Sequence, residues 1–249
     1  MTREWERLRE LIARSSRVVF FGGAGVSTQS GIPDFRSAHG LYSGAEGRSY
    51  EEMLSINYFM DHTDDFWKFY KDVMLYPDAK PNAAHYALAR LERQGKLKAV
   101  VTQNIDGLHQ AAGSKRVLEL HGTVHNNSCV ECRKRYTLGD VLCQKGTPHC
   151  CGTELCICEG VIRPDIVMYG EQLDEKVLSA AISAIMDADL LIVGGTSLVV
   201  NPAAGLIGYR NRAATLALIN RDATPYDGMA QLVLRDNIAE VLDAVIPQE

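Results

Sequence analysis

The groups in this sequence that could do chemistry are a histidine, a pair of polar side chains, a glycine-rich turn and a cluster of cysteines. His121 follows the short run Val117–Leu120, which predicts a strand. A histidine at the end of a strand can act as a general base, because its pKa lies near neutrality. A lone histidine in such a place is more often a structural residue held by hydrogen bonds. His121 is therefore a candidate base whose interpretation depends on the neighbouring motifs.

Asn104 and Asp106 follow a second apolar run, 98–102, in the segment Gln103–Gly107. An amide side chain both donates and accepts hydrogen bonds, which matches the hydrogen-bonding groups of a carboxamide. The alternative is a turn closed by the Asn or Asp side chain, which is a common way to end a strand. Both interpretations place these side chains at a strand end.

The glycine-rich turn Gly22–Ser27 follows the first apolar run, 17–21. Glycines let the backbone approach a diphosphate closely and leave N–H groups free for its oxygens. The spacing differs from the G-x-G-x-x-G of ordinary dinucleotide folds because Gly31 comes too late, so a tight connection without a ligand is equally compatible. Asp34 and Arg36 add an acceptor and a fixed positive charge, or pair with each other at the surface.

All seven cysteines lie between Cys129 and Cys158. Cys129 and Cys132 form a C-x-x-C pair, and further cysteines follow at a distance typical of a zinc ribbon. The region has little apolar content with which to build a core of its own. Four thiolates around a structural zinc ion would supply that stability, whereas a redox C-x-x-C pair would leave the later cysteines unexplained.

Apolar runs without polar alternation indicate strands that are buried on both faces, as in a parallel sheet covered by helices. These runs cover 17–21, 98–102, 190–193 and 215–219. Helical patterns lie between them at 81–94, 174–186 and 202–212. The sequence therefore predicts a doubly wound α/β fold, and the polar clusters at the ends of the runs fall where such sheets bind ligands.

Two stretches interrupt this alternation. Aromatic side chains at helical spacing predict a small inserted helical module, and the cysteine region forms a second insertion. We expect both insertions to pack against the main sheet of a single domain that covers 1–249. The predicted boundaries are about 37–80 for the helical insert, about 126–160 for the zinc module, and about 1–36, 81–125 and 161–249 for the large part.

The chain has 249 residues, of which 46% are hydrophobic and 23% charged, as in an ordinary soluble enzyme. A net charge of −5 argues against nucleic acid as a direct partner, since phosphate binding needs a basic surface. No apolar run reaches the ~20 residues that cross a bilayer, and residues 1–15 predict an amphipathic helix without the apolar core of a signal peptide. We therefore expect a cytoplasmic protein that binds neither nucleic acid nor a membrane.

Several long motifs occur in one order along the chain, and they resemble those of the sirtuin family of NAD-dependent protein-lysine deacylases. They are Gly23–Ser27 with Ser30–Arg36, Thr102–His109, Leu120–Gly122, Arg163–Glu171 and Gly195–Leu198. The resemblance covers nearly the whole chain and implies a Rossmann-like sheet with a zinc-ribbon module. Gly22 is a departure, because many members carry threonine before this Gly-Ala-Gly.

The resemblance implies a reaction with NAD as co-substrate. The acyl-lysine oxygen attacks C1′ of the nicotinamide ribose, nicotinamide leaves, and His121 deprotonates a ribose hydroxyl to drive acyl transfer to ADP-ribose. Asn104 and Asp106 are implied to hold the nicotinamide and ribose region, and Phe35 to shield the reactive carbon. The implied cofactor contacts are Gly23, Ala24, Gly25, Asp34, Phe35, Arg36, Gln103, Asn104, Ile105, Asp106, His121, Gly195, Thr196, Ser197 and Asn220. Of these, Ser197 and Asn220 are also compatible with simple helix caps.

The resemblance also implies a peptide-binding segment, in which the acyl-lysine substrate adds as a strand. Val167 and Tyr169 would line the tunnel for the acyl-lysine side chain. Leu41 and Ser43 stand where members that prefer succinyl-lysine carry tyrosine and arginine. The implied substrates are therefore proteins or peptides with acetyl-lysine or longer neutral acyl-lysine.

For the single zinc ion, the resemblance implies Cys129, Cys132 and Cys158 as ligands. Either Cys150 or Cys156 would be the fourth, since the second pair lacks C-x-x-C spacing. The two remaining cysteines, Cys143 and Cys151, are weaker candidates.

Three other functions are less consistent with these residues. Mono-ADP-ribosyl transfer or NAD hydrolysis would use the same pocket with another nucleophile, and the presence of His121 favours deacylation over them. A non-catalytic NAD-responsive module would be supported by loss of His121, Asn104 or Asp106, and all three are present. An ordinary dehydrogenase does not fit, because the glycine spacing is wrong and no acidic residue closes the expected βαβ unit.

Overall fold

The computed structural model describes residues 2–34, 49–151 and 158–248. The strands are β1 Val18–Gly22, β2 Leu97–Thr102, β3 Val117–Glu119, β4 Gly122–Cys129, β5 Arg135–Thr137, β6 Ile162–Ile166, β7 Leu190–Gly194, β8 Thr215–Ile219 and β9 Leu232–Leu234. The α-helices are α1 Arg3–Arg14, α2 Tyr50–Met53, α3 Ile56–Asp61, α4 Thr63–Phe69, α5 Ala83–Arg93, α6 Leu108–Ala111, α7 Leu138–Leu142, α8 Glu175–Asp187 and α9 Ile238–Val245.

A parallel sheet with the strand order β3-β2-β1-β7-β8-β9 forms the centre of the molecule. This is the order of the Rossmann fold, and the four predicted apolar runs all lie in it, which confirms the doubly wound α/β prediction. The chain order reverses between β1 and β7, whose last residues Gly22 and Gly194 are register partners. Ligands bind at the carboxyl ends of the strands at such a reversal, so this edge is where a site is expected.

The strands of this sheet are covered by helices on both faces. Phe20 belongs to a core cluster with α1, α5 and α9, whereas its neighbour Phe21 belongs to a cluster with α8 and the 3₁₀ helix Ala203–Tyr209. Both rings are fully buried. Because successive side chains of a strand point to opposite faces, burial on both faces explains why the apolar runs show no polar alternation.

The helix predictions hold in position, and one differs in type. Asn82 and Asp174 cap α5 and α8 with side-chain oxygens that accept backbone N–H groups, so these helices match the patterns at 81–94 and 174–186. The third pattern, 202–212, forms the 3₁₀ helix Ala203–Tyr209. Two glycines in this short stretch, Gly205 and Gly208, disfavour a regular α-helix.

The two insertions share a core with each other. The described part of the helical insert contains α2–α4 and a π-helical turn, Tyr70–Met74, and the cysteine region contributes β5 and the end of β4 to the antiparallel sheet β5-β4-β6. Their apolar side chains form one cluster, and the Trp67 indole N–H donates to the Ile162 carbonyl oxygen at 3.0 Å. The two insertions therefore pack against each other, a contact that the sequence did not predict. The boundaries at 37–80 and 126–160 remain predictions.

The longest helix that the structure describes is α8, with 13 residues. Within the described ranges, no helix is both long enough and apolar enough to cross a membrane.

Candidate active site and metal centre

A cavity of about 950 Å³ lies at the carboxyl ends of the central strands, beside the turns that follow β1 and β7. It is lined by every described residue that the sequence predicted to contact cofactor or substrate. These are Gly23, Ala24, Gly25, Asp34, Gln103, Asn104, Ile105, Asp106, His121, Val167, Tyr169, Gly195, Thr196, Ser197 and Asn220. Phe35, Arg36, Leu41 and Ser43 lie outside the described residues.

His121 is oriented by the end of the neighbouring strand. Its Nδ1 lies 3.0 Å from the backbone carbonyl oxygen of Gln103. A carbonyl oxygen only accepts, so Nδ1 carries the proton and donates it, which leaves the lone pair on Nε2. Burial lowers the pKa of His121, and the hydrogen bond to Gln103 acts in the opposite direction. The ring is therefore neutral near pH 7 and has the form that a general base requires.

Ser27 joins the two polar side chains that follow β2. The Asn104 amide donates to Ser27 Oγ at 3.0 Å, and Ser27 Oγ donates to Asp106 Oδ2 at 2.6 Å. The other Asp106 oxygen accepts the Leu108 N–H at 2.9 Å. Ser27 lies within the glycine-rich motif, but the sequence alone predicts no role for it. A hydroxyl inside a glycine-rich turn was the available signal.

The turns that follow β1 and β7 contact each other closely through their glycines. The Gly25 N–H donates to the Gly195 carbonyl oxygen at 2.8 Å. The sequence predicted N–H groups free for phosphate oxygens in this turn, and the Gly25 N–H is not one of them. A β carbon at Gly195, where φ is +62°, would lie 2.5 Å from the Val26 nitrogen. Gly22, the departure from the sirtuin pattern, has its own steric reason, because a β carbon there would lie 2.6 Å from the Phe20 ring.

Asn220 and Gln103 both brace Thr196, which follows β7. The Asn220 side chain accepts the Thr196 N–H at 3.0 Å and donates to the Thr196 carbonyl oxygen at 2.8 Å. The Gln103 amide donates to Thr196 Oγ1 at 2.9 Å. These contacts fix the shape of the Gly195–Ser197 turn at the cavity wall, and any cofactor contact of Asn220 is made by a side chain that is already held in place.

The segment predicted to bind the peptide is connected to both His121 and the helical insert. The Val167 N–H donates to the His121 carbonyl oxygen at 2.9 Å, and the Tyr169 N–H donates to the Leu54 carbonyl oxygen at 3.0 Å. A peptide that pairs with this segment must therefore use other backbone groups. The Arg163 guanidinium makes two 2.8 Å hydrogen bonds to the Glu171 carboxylate, and this ion pair closes the turn that carries Val167 and Tyr169.

A second wall of the cavity was missed by sequence reasoning. Val200, Asn201 and Pro202, beyond the predicted Gly195–Ser197 turn, also line it. The buried Leu198 has φ +56°, an uncommon conformation for a branched side chain that is often found at functional sites. Nothing in the sequence distinguishes this segment from an ordinary helix start.

Four cysteine sulfurs form a separate cluster in the cysteine region. Cys129, Cys132, Cys150 and Cys158 have their sulfur atoms within 4.8 Å of one another, and the pairs Cys129–Cys158 and Cys132–Cys150 are 3.5 and 3.6 Å apart. Tetrahedral zinc with Zn–S bonds of about 2.3 Å needs sulfurs roughly 3.8 Å apart. The donor set and its spacing fit one structural zinc ion. The structure thus brings Cys150 to the three expected ligands, and Cys156 lies outside the described residues.

The fold and the site together define a class: a Rossmann-type α/β protein with a crevice where the strand order reverses, a histidine in the crevice wall, and a cluster of four cysteines. The family within this class follows from similarity to known proteins. The Sir2 family model matches residues 23–202, and the chain belongs to the Sir2 family.

Curated relatives match over nearly their full length. A Clostridium acetobutylicum protein named NAD-dependent protein deacetylase is 54% identical over 241 residues, covering 96% of both chains. A Staphylococcus aureus protein with the same name is 44% identical over 250 residues and covers all of both chains. These identities extend the family assignment beyond the residues that the family model matches.

Solved Sir2 structures share the architecture. A Sir2 complex with a p53 peptide and NAD⁺ has a TM-score of 0.85 at 41% identity, covering 98% of this chain and 97% of that one. A Sir2 complex with a deacetylated p53 peptide and 3′-O-acetyl ADP-ribose has a TM-score of 0.87 at 40% identity, covering 96% of each chain. The fold of this chain is therefore the Sir2 fold.

Proposed function

We propose that this protein is an NAD-dependent protein-lysine deacetylase that transfers the acyl group to ADP-ribose and releases nicotinamide. The observation that carries the proposal is the hydrogen bond that holds His121 Nδ1 against the Gln103 carbonyl oxygen, in the same cavity as the Asn104–Ser27–Asp106 network. The names of the curated relatives and the peptide and NAD⁺ complexes of related Sir2 proteins support the same activity.

NAD, when bound, supplies the ribose carbon that receives the acyl oxygen and the nicotinamide that leaves. His121 Nε2 takes a proton from a ribose hydroxyl, because Nδ1 is already engaged with Gln103. The Gln103 carbonyl then stabilises the charged ring, since Nδ1–H continues to donate to it. A histidine in this arrangement contributes typically 10²- to 10⁴-fold to the rate.

Asn104 and Asp106 hold the carboxamide end of the dinucleotide in this proposal. Asn104 is 8% exposed and Ser27 1% exposed, so their hydrogen bonds operate with little competition from water. Asp106 keeps both oxygens engaged in the protein, one with Ser27 and one with the Leu108 N–H. The resulting rigidity favours a planar amide ligand in one orientation.

Gly23, Ala24, Gly25, Asp34, Gly195, Thr196, Ser197 and Asn220 form the remaining described part of the proposed cofactor surface. We assign Ser197 and Asn220 to the adenosine half of NAD. Phe35 and Arg36 complete the proposed set by the family pattern alone. We also assign Gln103 and Ile105 to the ribose side.

Val167 and Tyr169 are assigned to the acyl-lysine substrate. The Val167 N–H is bonded to the His121 backbone, so the peptide segment and the base are connected through one hydrogen bond. We propose acetyl or longer neutral acyl groups as substrates, because Leu41 and Ser43 offer no cation for a carboxylate. Faster removal of succinyl than of acetyl from matched peptides would contradict this preference.

A structural zinc ion on Cys129, Cys132, Cys150 and Cys158 completes the proposal. Cys129, Cys150 and Cys158 belong to the core that the cysteine region shares with the helical insert, so the ion would stabilise that core, to which Leu54 also belongs. We place the protein in the cytoplasm, where thiol ligands of this kind remain reduced.

The experiment that tests the function is mass spectrometry of an acetyl-lysine peptide incubated with and without NAD. We expect NAD-dependent loss of acetyl with acetylated ADP-ribose as product, and loss of that product in His121→Ala. His62→Ala is the matched control, because His62 is exposed and does not line the cavity. ADP-ribose attached to protein, or NAD consumed with the peptide intact, would replace deacetylation with transfer or hydrolysis. If both NAD and the peptide remain unchanged, a non-catalytic NAD-binding module would replace the enzyme as the proposed function.

A further inference from the structure

Asn82 uses every polar group of its side chain and its backbone N–H to join two parts of the molecule. Its Oδ1 accepts the Ala84 N–H at 2.9 Å, which caps α5. Its Nδ2 donates to the Val26 carbonyl oxygen at 2.8 Å and to Ser30 Oγ at 3.0 Å. One side chain therefore fastens the turn after β1 to the N-terminus of α5.

His85 fixes Asn82 from the other side. The Asn82 N–H donates to His85 Nδ1 at 3.2 Å, which completes a capping box and requires a neutral ring with its proton on Nε2. Burial lowers the pKa of His85 to about 4, against a smaller opposite effect of Asp106. The ring therefore stays neutral and keeps its acceptor near pH 7.

His109 packs against His85 and lies in the chain segment that follows Asp106. The two rings lie 4.7 Å apart in an edge-to-face arrangement, and both side chains are buried. His109 lies three residues after Asp106 in the sequence. The Asp106 carboxylate accepts a hydrogen bond from the Ser27 hydroxyl. Ser27 itself lies between Val26 and Ser30, the two residues that Asn82 holds. Asn82 is therefore connected to the Ser27–Asp106 hydrogen bond directly through the Val26–Ser30 turn, while His85 and His109 pack beside the chain segment that follows Asp106.

We propose that Asn82 is a positioning residue for dinucleotide binding. Its hydrogen bonds to Val26 and Ser30, which we call the latch, hold the Val26–Ser30 turn so that Ser27 stays within reach of Asn104 and Asp106. His85 keeps the latch in its orientation. The inference rests on the proposed function in taking NAD as the ligand. Asn82 itself touches none of the reacting groups; it acts through Ser27.

Asn82→Asp is the sharpest test, because aspartate caps a helix as well as asparagine does but cannot donate to Val26 or Ser30. We expect the NAD dissociation constant, measured by calorimetry, to rise about tenfold, as the loss of buried hydrogen bonds predicts. The KM for NAD should rise in parallel while the KM for the acetyl-peptide stays within about twofold, a split that a general loss of stability would not produce.

Asn211→Asp is the matched control. Asn211 also accepts an N–H two residues ahead, from Ala213, is exposed, and lies outside the cavity lining. It should bind NAD like the unmodified protein. Asn82→Ser separates the latch from charge, since serine caps without a carboxylate; the proposal requires it to weaken NAD binding as well. Wild-type affinity in Asn82→Ser would assign the Asp effect to repulsion of the ligand and overturn the latch.

Two substitutions test His85. Glutamine at this position completes a capping box with the Asn82 N–H, whereas phenylalanine preserves the ring shape without an acceptor. We expect His85→Gln to keep NAD affinity and His85→Phe to lose it. Equal losses in both would assign His85 to packing alone and remove it from the latch. Wild-type protein that binds NAD without deacetylating the peptide would refute the proposed function and leave this test intact.

Discussion

The His121 imidazole is held by the backbone of Gln103, whose carbonyl oxygen lies 3.0 Å from Nδ1. Gln103 immediately precedes Asn104, so one strand end orients the base and also presents the amide that holds the proposed nicotinamide. Because the partner of His121 is a backbone atom, no substitution of the Gln103 side chain removes it. The geometry of the base is therefore fixed by the sheet itself.

This environment predicts a pH profile. Burial lowers the pKa of His121 below its ordinary value of 6.5, so the ring remains an unprotonated base at pH values where an exposed histidine is charged. We expect the acidic limb of kcat/KM for the acetyl-peptide to fall below pH 6.5 and activity to be constant between that limb and neutral pH. An acidic limb above pH 6.5 would show that another group controls the rate.

Gly195→Ala should weaken both the fold and the cofactor site. The added β carbon would lie 2.5 Å from the Val26 nitrogen at a residue with φ +62°, which costs about 1–3 kcal/mol in strain and displaced backbone. We expect the free energy of unfolding, measured with urea, to fall by that amount and the KM for NAD to rise. Gly208→Ala is the control, because open space surrounds its β carbon, and an equal loss there would refute the steric argument.

Much of this architecture follows from local sequence. The apolar runs around Phe20 and Val100 predict buried parallel strands because they carry no polar alternation, and the polar residues after them fall at the sheet edge that forms the cavity. The motifs also place His121, Asn104 and Asp106 in one site. In each case neighbouring residues along the chain carry the information.

The remainder depends on contacts between distant segments. The fit of Gly25 against Gly195, the bracing of Thr196 by Asn220, and the shared core of the two insertions all join parts of the chain that are far apart in sequence. Glycine in a turn is compatible with ligand binding or with close packing, and only the opposing backbone decides between them. The polar strand β4 has no apolar pattern that predicts its pairing with β6.

Cys150 is expected to be the fourth zinc ligand. Its sulfur lies 3.6 Å from that of Cys132, and its thiol accepts from the Tyr136 hydroxyl at 3.0 Å. We expect Cys150→Ser to reduce bound zinc, measured by elemental analysis, far below one ion per chain and to lower the melting temperature. Cys143→Ser should retain zinc, because Cys143 is exposed and outside the cluster. Loss of zinc in Cys156→Ser but not in Cys150→Ser would reverse the assignment.

The buried histidines predict a loss of stability in mild acid. Burial lowers the pKa values of both His85 and His109, to about 4 for His85, so the folded state binds fewer protons than the unfolded state between pH 6.5 and about 4. Stability therefore falls as the pH drops below 6.5, by up to about 1.4 kcal/mol per pH unit for each such histidine.

His109→Phe isolates one of these contributions. The ring nitrogens of His109 have no hydrogen-bond partner in the described structure, and phenylalanine fills a similar space without a group to protonate. We expect urea unfolding of the variant to show a shallower decline between neutral pH and about pH 5 than unfolding of the wild type. Protonation of the cysteine ligands affects both proteins alike, so the difference between their slopes belongs to residue 109. Identical slopes would mean that His109 is as easily protonated in the folded chain as in the unfolded one.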